Sequence, residues 1–595
     1  MTKAVLEAES EGEGRRAAAA VPSLALAVPA SLHASLMARF DRLGPAKEVA
    51  QIGAAIGREF SHALLIAVVR KPETELGALL DRLIAAGLLF RQGAPPHASY
   101  LFKHALVQDA AYGTLLREPR RALHARIAET LESHFAEIAE IQPELLARHC
   151  TEAGLIEKAA GLWGKAGQRS LARSALVEAV ELLTQALNQI AALPSTPAVR
   201  REQITLQVAL VHPLMHVKGY TAPETTAAAE RARLLIEKAE ALGEPPDDPL
   251  LLFSVLYSFW VASYVAFNGD MMRALATQFL RLAEKHGATM PLMVGHRLMG
   301  MSLAETGEIA QGREHYNQAL ALYDPAEHRP LATLFGQDVR VSVLSYRSRA
   351  LCLLGHPEAA LADSDQAISE ARVIGQAAAL MYALSHAAFT LIHRGDYLGA
   401  SAVVGELVGL ANEKGSLFWM ASGTTYQGLL FALTGKAKDA VHMLSSGITA
   451  YRSTGSTAML MHLSVPYLAK AHADLGQFDD AWRCIGDAML AIETTKERWF
   501  ESEANRIAGE IALMSPEPDE AKAEAYFEHA LAVALQQQAK SWEPRAAMSM
   551  ARLWRDQDKR DEARDLLTPV YGWFAEGFDT LDLKEAKALV DELHA

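Results

Sequence analysis

The residue types that could do chemistry in this chain are scattered, and their spacing decides against most of them. A phosphate-cradling loop needs Gly-x4-Gly-Lys-Ser/Thr, because backbone amides hold the phosphates and the hydroxyl takes the magnesium. Gly164-Lys165 and Gly435-Lys436 come nearest, yet alanine follows each pair and neither has the earlier glycine. Gly12-Glu13-Gly14-Arg15-Arg16-Ala17 spells a dinucleotide-binding pattern, but no predicted strand precedes it and no βαβ unit surrounds it. His-Glu-x-x-His, Cys-x-x-Cys and Gly-x-Ser-x-Gly do not occur. Cys150, Cys352 and Cys484 are too few and too scattered for a disulfide framework or a thiolate zinc site. Lone histidines among the 21, such as His386 and His472, fall on helix faces where packing or solvent accounts for them. Trp260, Tyr264, Phe267, Trp419, Tyr426 and Phe431 stand at helical spacing, as core residues do. The sequence thus predicts no catalytic residue, no metal site and no cofactor.

What has to be positioned is therefore a surface, and one recurring turn organises it. Gly395-Asp396-Tyr397-Leu398-Gly399-Ala400 returns as Gly269 to Ala274, Gly355 to Ala360, Gly435 to Ala440 and Gly476 to Ala481. Weaker copies run from Gly307 to Gly312 and from Asp558 to Ala563. The turn residue ends one helix, where glycine adopts positive φ, and the small residue five positions on lets the next helix approach closely. Runs such as Ala383 to Ile392 before the turn, and Ala481 to Leu490 after it, carry apolar residues spaced for one helix face. A period of about forty residues without strand alternation predicts stacked helical hairpins, a right-handed superhelix from about residue 143 onward.

Composition sets the outer limits. At 595 residues the chain exceeds one core, so two or more domains are expected. It is 50% hydrophobic and 22% charged, the balance of a folded protein, and its net charge of −14 opposes general nucleic-acid binding. No apolar run reaches the ~18 residues of a membrane span, and Thr2 to Arg16 is charged rather than a signal peptide. A cytoplasmic location is expected.

Along the chain, residues 1–28 read as a short helical piece and a linker. Ser31 is placed to cap the helix Leu32 to Phe40, Gly44-Pro45 starts the next through Ile56, and Pro72 leads Glu73 to Ala86, closed by Gly87. Leu88 to Arg91 and Tyr100 to Lys103 flank Gly93-Ala94-Pro95-Pro96 as a β-hairpin, and a helix begins at His104. Three helices followed by a hairpin predict a winged helix over 29–123. Helical pattern continues over 124–595 as a tetratricopeptide-like array.

Certain strings carry a closer resemblance. Leu32-His33-Ala34-Ser35-Leu36-Met37-Ala38-Arg39, Gln51 to Phe60 and Phe102 to Tyr112 resemble one bacterial family of large multidomain proteins. Leu322-Tyr323-Asp324-Pro325, Phe335-Gly336-Gln337-Asp338 and Tyr571 to Phe578 fit its array. In that family a class III adenylate/guanylate cyclase precedes a STAND (AAA-like) signal-transduction ATPase, a winged helix and a tetratricopeptide (TPR) array. Met1 to Glu7 resembles the last helix of the ATPase module, so 1–28 reads as a remnant of it, with the cyclase and the phosphate-binding part missing.

The resemblance implies a non-enzymatic regulatory module. Its concave groove would take a protein, peptide or effector, and it would control an ATPase/cyclase module. It also implies that His104, in Phe102-Lys103-His104-Ala105-Leu106-Val107, matches a histidine that touches bound nucleotide, with Ala105 where an aspartate often stands; a histidine capping the helix is the alternative. Two other readings remain open: a truncated cyclase–ATPase, and a winged-helix transcription regulator. Residues 29–123 carry a net +4 against −18 elsewhere, yet Glu73, Glu75 and Asp81 outnumber Arg82 on the helix before the hairpin. Carboxylates there would face phosphate repulsion, which predicts a docking element and no nucleic-acid binding.

Overall fold

The computed structural model describes residues 36–595 apart from 37, 174, 220–221, 245–247, 249, 330–337 and 455–459. The expected 1–28 segment, the Ser31 cap, Leu32 and the Phe335-Gly336-Gln337 string lie outside the described residues. The chain divides into two compact units, Met1–Ala166 with Asn188–Leu193, and Gly167–Leu187 with Pro194–Ala595.

In the first unit the order is α1 (Pro45–Ile56), β1 (Glu59–Ser61), α2 (His62–Val69), α3 (Glu73–Ala85), β2 (Leu89–Gln92), β3 (Ser99–Phe102) and α4 (Ala105–Gly113). The hairpin β2–β3 pairs Leu89 with Phe102 and Gln92 with Ser99, and β1 adds to its other side through Phe60 and Tyr100. The sheet order is β1-β3-β2. Three residues are too few to show strand alternation, so β1 was not legible in the sequence. Tertiary packing makes it: Phe60 stacks 5.8 Å from Tyr100 and reaches α1 at Gly53, where a β-carbon would come within 2.6 Å of the ring.

Ile52, Ile56, Leu65, Leu76, Leu80 and Leu83 fill this core, and each such side chain stabilises by roughly 2 kcal/mol. The core also takes Leu123, Ile127 and Leu131 from α5 (Arg117–His134) and, after the short α6 (Ala136–Ile141), Leu146 and Cys150 from α7 (Pro143–Ala153). The first unit therefore runs past residue 123, where the winged-helix pattern was read to end, because the apolar faces of α5 and α7 are used there.

The second unit is a TPR-like α-solenoid. Its inner row is Leu250–Val265, Thr289–Glu305, Val339–Leu353, Ala377–Arg394, Leu417–Leu433, Leu460–Asp474, Glu501–Met514, Trp542–Asp556 and Leu581–His594. Successive inner helices touch one another, while the outer helix of each pair packs on its inner neighbours.

The recurring turn is built as the physics requires. Gly355, Gly395, Gly435 and Gly476 take φ between 74° and 85°, Gly307 takes 99°, and Asp558 accepts 63° without being glycine. Ala360, Ala400, Ala440, Ala481 and Ala563 are all fully buried where paired helices meet. The copy at Gly269 and Ala274 is out of register. Phe267 takes the positive φ of 42°, Asn268 caps the helix, and Met272, five residues after Phe267, is the buried one. Gly269 is instead the first helical residue and Ala274 is exposed. A second set of turns closes the outer helices at Gly287, Gly375 and Gly415, each left-handed.

Candidate functional site

The candidate site is the inner face of the solenoid, where charged groups stand among aromatic rings. In the helix Val339–Leu353, Ser342, Tyr346, Arg349 and Leu353 recur at helical spacing on one face. Arg349 donates Nη1 to Glu305 Oε1 at 2.9 Å and Nη2 to Oε2 at 3.4 Å. Its guanidinium lies 4.9 Å from the rings of Phe389 and Trp499 and 5.6 Å from Tyr346. Burial pushes the Glu305 carboxyl up to about 7, against the pull of Arg349 and with help from Glu497. Around this pair, Tyr264 and Tyr346 join hydroxyls, and Trp260 donates to Ser302 at 3.0 Å.

A second network lies further along. Glu503 accepts from Arg506 at 2.7 Å and 2.8 Å, from Arg545 at 3.4 Å and from Tyr467 at 2.8 Å. Arg545 also donates to Asp582 at 2.7 Å. Burial opposes the Glu503 charge, but Arg506 and Arg545 outweigh it and bring the carboxyl to about 2.

These groups are enclosed because distant repeats meet edge to edge. Arg498 N donates to Glu305 O at 3.0 Å, Ser541 N to Leu353 O at 3.1 Å, and Arg394 to Asp579 at 3.1 Å. The turn glycines form part of this seam. A β-carbon at Gly395 would collide with Leu581, and one at Gly577 with Pro357. Trp499 and Trp542 then fill the inner face, with Trp542 Nε1 bonded to the Trp499 carbonyl at 2.9 Å.

Two small cavities remain beside Arg349. One of about 10 Å³ includes Glu305 and Tyr316, and one of about 30 Å³ includes His386, Trp419 and Tyr426. The larger has room for one or two waters as it stands. A shallower depression of about 630 Å³ lies at Arg372, Val403 and Glu406.

Of the residues singled out in the sequence, the turn positions bear on the site through the seam, and Trp419, Tyr426 and His386 line the larger cavity. Trp260, Tyr264 and Phe267 are buried. His104 belongs to the first unit, is exposed, and sits at the N-cap of α4 without a side-chain cap bond. Its carbonyl, not its ring, accepts from Val107 at 3.0 Å. Arg349, Glu305, Glu503, Arg545 and Asp582 were missed. The signal for Arg349 was a charged residue at a core position of an otherwise uncharged helix face.

Among the described residues no cluster of three or more ligating side chains could hold a metal, and no helix is long and apolar enough to cross a membrane. No family model matches the chain. An uncharacterized protein of Rhizobium meliloti (strain 1021) is 26% identical over 527 residues, which are 87% of this chain and 50% of that protein. The chain thus spans about half the length of that relative. Among solved structures, a Rap protein complexed with competence and sporulation factor is 11% identical, covers 66% of this chain and 99% of its own, and gives a TM-score of 0.45. A STAND protein with a tetratricopeptide repeat sensor from Pyrococcus horikoshii is 13% identical over 72% of this chain and 66% of its own, with a TM-score of 0.32. The Cut9–Hcn1 assembly of the APC/C is 13% identical over 80% and 93%, with a TM-score of 0.42.

Proposed function

We propose that this chain is a regulatory interaction module: the solenoid responds to a protein, peptide or small effector, and the first unit docks on a signalling ATPase or cyclase module. The observation that carries this reading is the placement of ion pairs inside the solenoid. A buried ion pair contributes little net stability, since desolvating both charges offsets their attraction, and apolar residues of similar volume often do as well. Arg349 with Glu305, and Glu503 with Arg506, Arg545 and Asp582, are more than a repeat scaffold needs. They suit a seam between repeats that rearranges when a partner binds.

The first unit supports the docking half of the reading. The order helix, strand, two helices, hairpin supports the winged-helix reading, and α3 exposes Glu73, Glu75 and Asp81. Asp81 is held by Arg91 at 3.3 Å, so this face offers carboxylates rather than free cations to a duplex. His104 would face the partner's nucleotide, in keeping with its exposure. The double length of the Rhizobium meliloti relative leaves room for such a partner in one chain, which also favours the reading of this sequence as the regulatory half of a larger cyclase–ATPase.

The test titrates the chain with the separate ATPase module of a multidomain cyclase and follows hydrogen exchange. Slowed exchange around His104 and α3, with no salt-sensitive binding of duplex DNA, is the expected result. Absence of binding together with tight, salt-dependent DNA binding would replace the docking element with a transcription regulator.

A further inference from the structure

Among the described residues two pairs of histidines meet ring to ring, and only one pair is open to solvent. His124 and His149 are 1% and 0% exposed. His296, on the helix Thr289–Glu305, and His315, on Ile309–Ala321, are half-buried. Their Nδ1 atoms lie 2.9 Å apart and their ring centroids 5.2 Å apart. Among the described residues neither Nε2 of this pair has a partner, and neither is sealed from solvent.

The repeat explains why these side chains share a place. The helices Gly269–His286, Thr289–Glu305 and Ile309–Ala321 recur at the same intervals two repeats later, as Pro357–Ile374, Ala377–Arg394 and Tyr397–Lys414. At that offset Glu284, His296 and His315 correspond to Arg372, Leu384 and Val403. Those three line the depression of about 630 Å³, a groove with the inner helix as its floor and the outer helices as its walls. Where the later repeat has aliphatic side chains on the floor and one wall, the earlier repeat has imidazoles. Burial, reinforced by His315, holds His296 below its ordinary value against the nearby Glu284 carboxylate. Burial lowers His315 as well, so both rings are neutral at pH 7 and keep a lone pair to donate.

We propose that His296 and His315 bind one divalent transition-metal ion through their Nδ1 atoms, clamping the helices Thr289–Glu305 and Ile309–Ala321 together, with water completing the shell. Two nitrogens about 2.0–2.1 Å from one ion and at a right angle to each other stand about 2.9 Å apart, which is the separation here. A modest turn of each ring about its Cβ–Cγ bond, a soft torsion, aims both lone pairs at one point. The proton that one Nδ1 gives to the other in the present hydrogen bond moves to that ring's own Nε2, which solvent reaches, so both rings stay neutral. The right angle suits tetragonal copper(II) and nickel(II) better than tetrahedral zinc(II), while magnesium prefers oxygen ligands. With two protein ligands rather than three or more, the ion exchanges readily, as a signal does and a structural metal does not. Glu284 adds attraction for a cation from the opposite wall.

This deepens the reading of the solenoid as responsive to a small effector, but binding is measured on the chain alone, so its failure leaves the docking of the first unit untouched. The full chain, stripped with EDTA, is titrated by calorimetry with nickel(II) chloride and with magnesium chloride, and hydrogen exchange is followed in parallel. Saturable nickel binding is expected, with none for magnesium, and His315→Val or His296→Leu should weaken it at least about tenfold. Both variants install the residue of the counterpart groove, and circular dichroism checks that they fold. At nickel about a hundred times its Kd, exchange that requires the two helices to part should slow about a hundredfold in the unaltered chain and not in the variants. Variants that bind nickel as tightly as the unaltered chain, or exchange in the two helices that nickel leaves unchanged, overturn the proposal and leave an ordinary hydrogen bond between two rings. If neither variant folds, the exchange comparison of nickel with magnesium on the unaltered chain decides it.

Discussion

Two turn glycines that look equivalent in sequence should respond differently to the same substitution. Gly395 and Gly435 hold φ of 78° and 75°. A β-carbon at Gly435 would meet nothing within 4 Å, whereas at Gly395 it would strike Leu581, whose backbone N and Cα are also within 3.4 Å. Gly435→Ala therefore costs only the left-handed penalty of about 1–2 kcal/mol, partly offset by a stiffer unfolded chain. Gly395→Ala adds overpacking of about 1–3 kcal/mol at the seam, bringing its total to roughly 2–5 kcal/mol. Neighbouring repeats share most of their stability, so the loss should appear locally. Urea titration gives the total for each variant, and hydrogen exchange should place the excess of Gly395→Ala in the helix Leu581–His594 and the turn it meets. Leu581→Gly removes the colliding Cβ and should recover the excess. Equal losses for the two alanine variants, or no recovery in the double variant, would refute the seam as a contact of energetic weight.

Two further outcomes follow from buried charge. Glu503→Gln removes the carboxylate that Arg506 and Arg545 share inside the solenoid, leaving Arg506 to Glu510 and Arg545 to Asp582, and should cost about 1–3 kcal/mol in urea titrations, while Lys587→Ala, which breaks only the exposed pair with Asp591, should leave the titration unchanged. In the first unit His124 and His149 meet at 2.8 Å through their Nδ1 atoms, beside Tyr112, Glu152, Arg120 and Arg148. Burial lowers them from 6.5 to about 4 and about 3. The unfolded chain therefore binds more protons below pH 6.5, and the first unit should lose stability as pH falls from about 6.5 toward 4, with exchange in α5 and α7 accelerating. Stability that is flat across that window would show that the pair is not held neutral.

The sequence by itself determined the helical repeat, the hairpin of the first unit and the positions of most turns. Those signals are local: an apolar face recurring every three or four residues, a glycine where φ must be positive, and a small residue where two helices close. The same locality explains the slip at Gly269, because the motif was read from glycine while the chain used Phe267 and Asn268 to make the turn. Tertiary structure alone decided the rest. The strand β1 exists because Phe60 has a core to enter, and α5 and α7 join the first unit because their apolar faces are covered there. The inner site needed most from the third dimension. Arg349 and Glu305 are 44 residues apart, Arg394 and Asp579 are 185 apart, and no periodicity of about forty residues records which turns of a solenoid will meet. That depends on the small rotation each repeat adds to the last, which sums over many helices before it brings Gly395 against Leu581 and closes aromatic rings over a buried guanidinium.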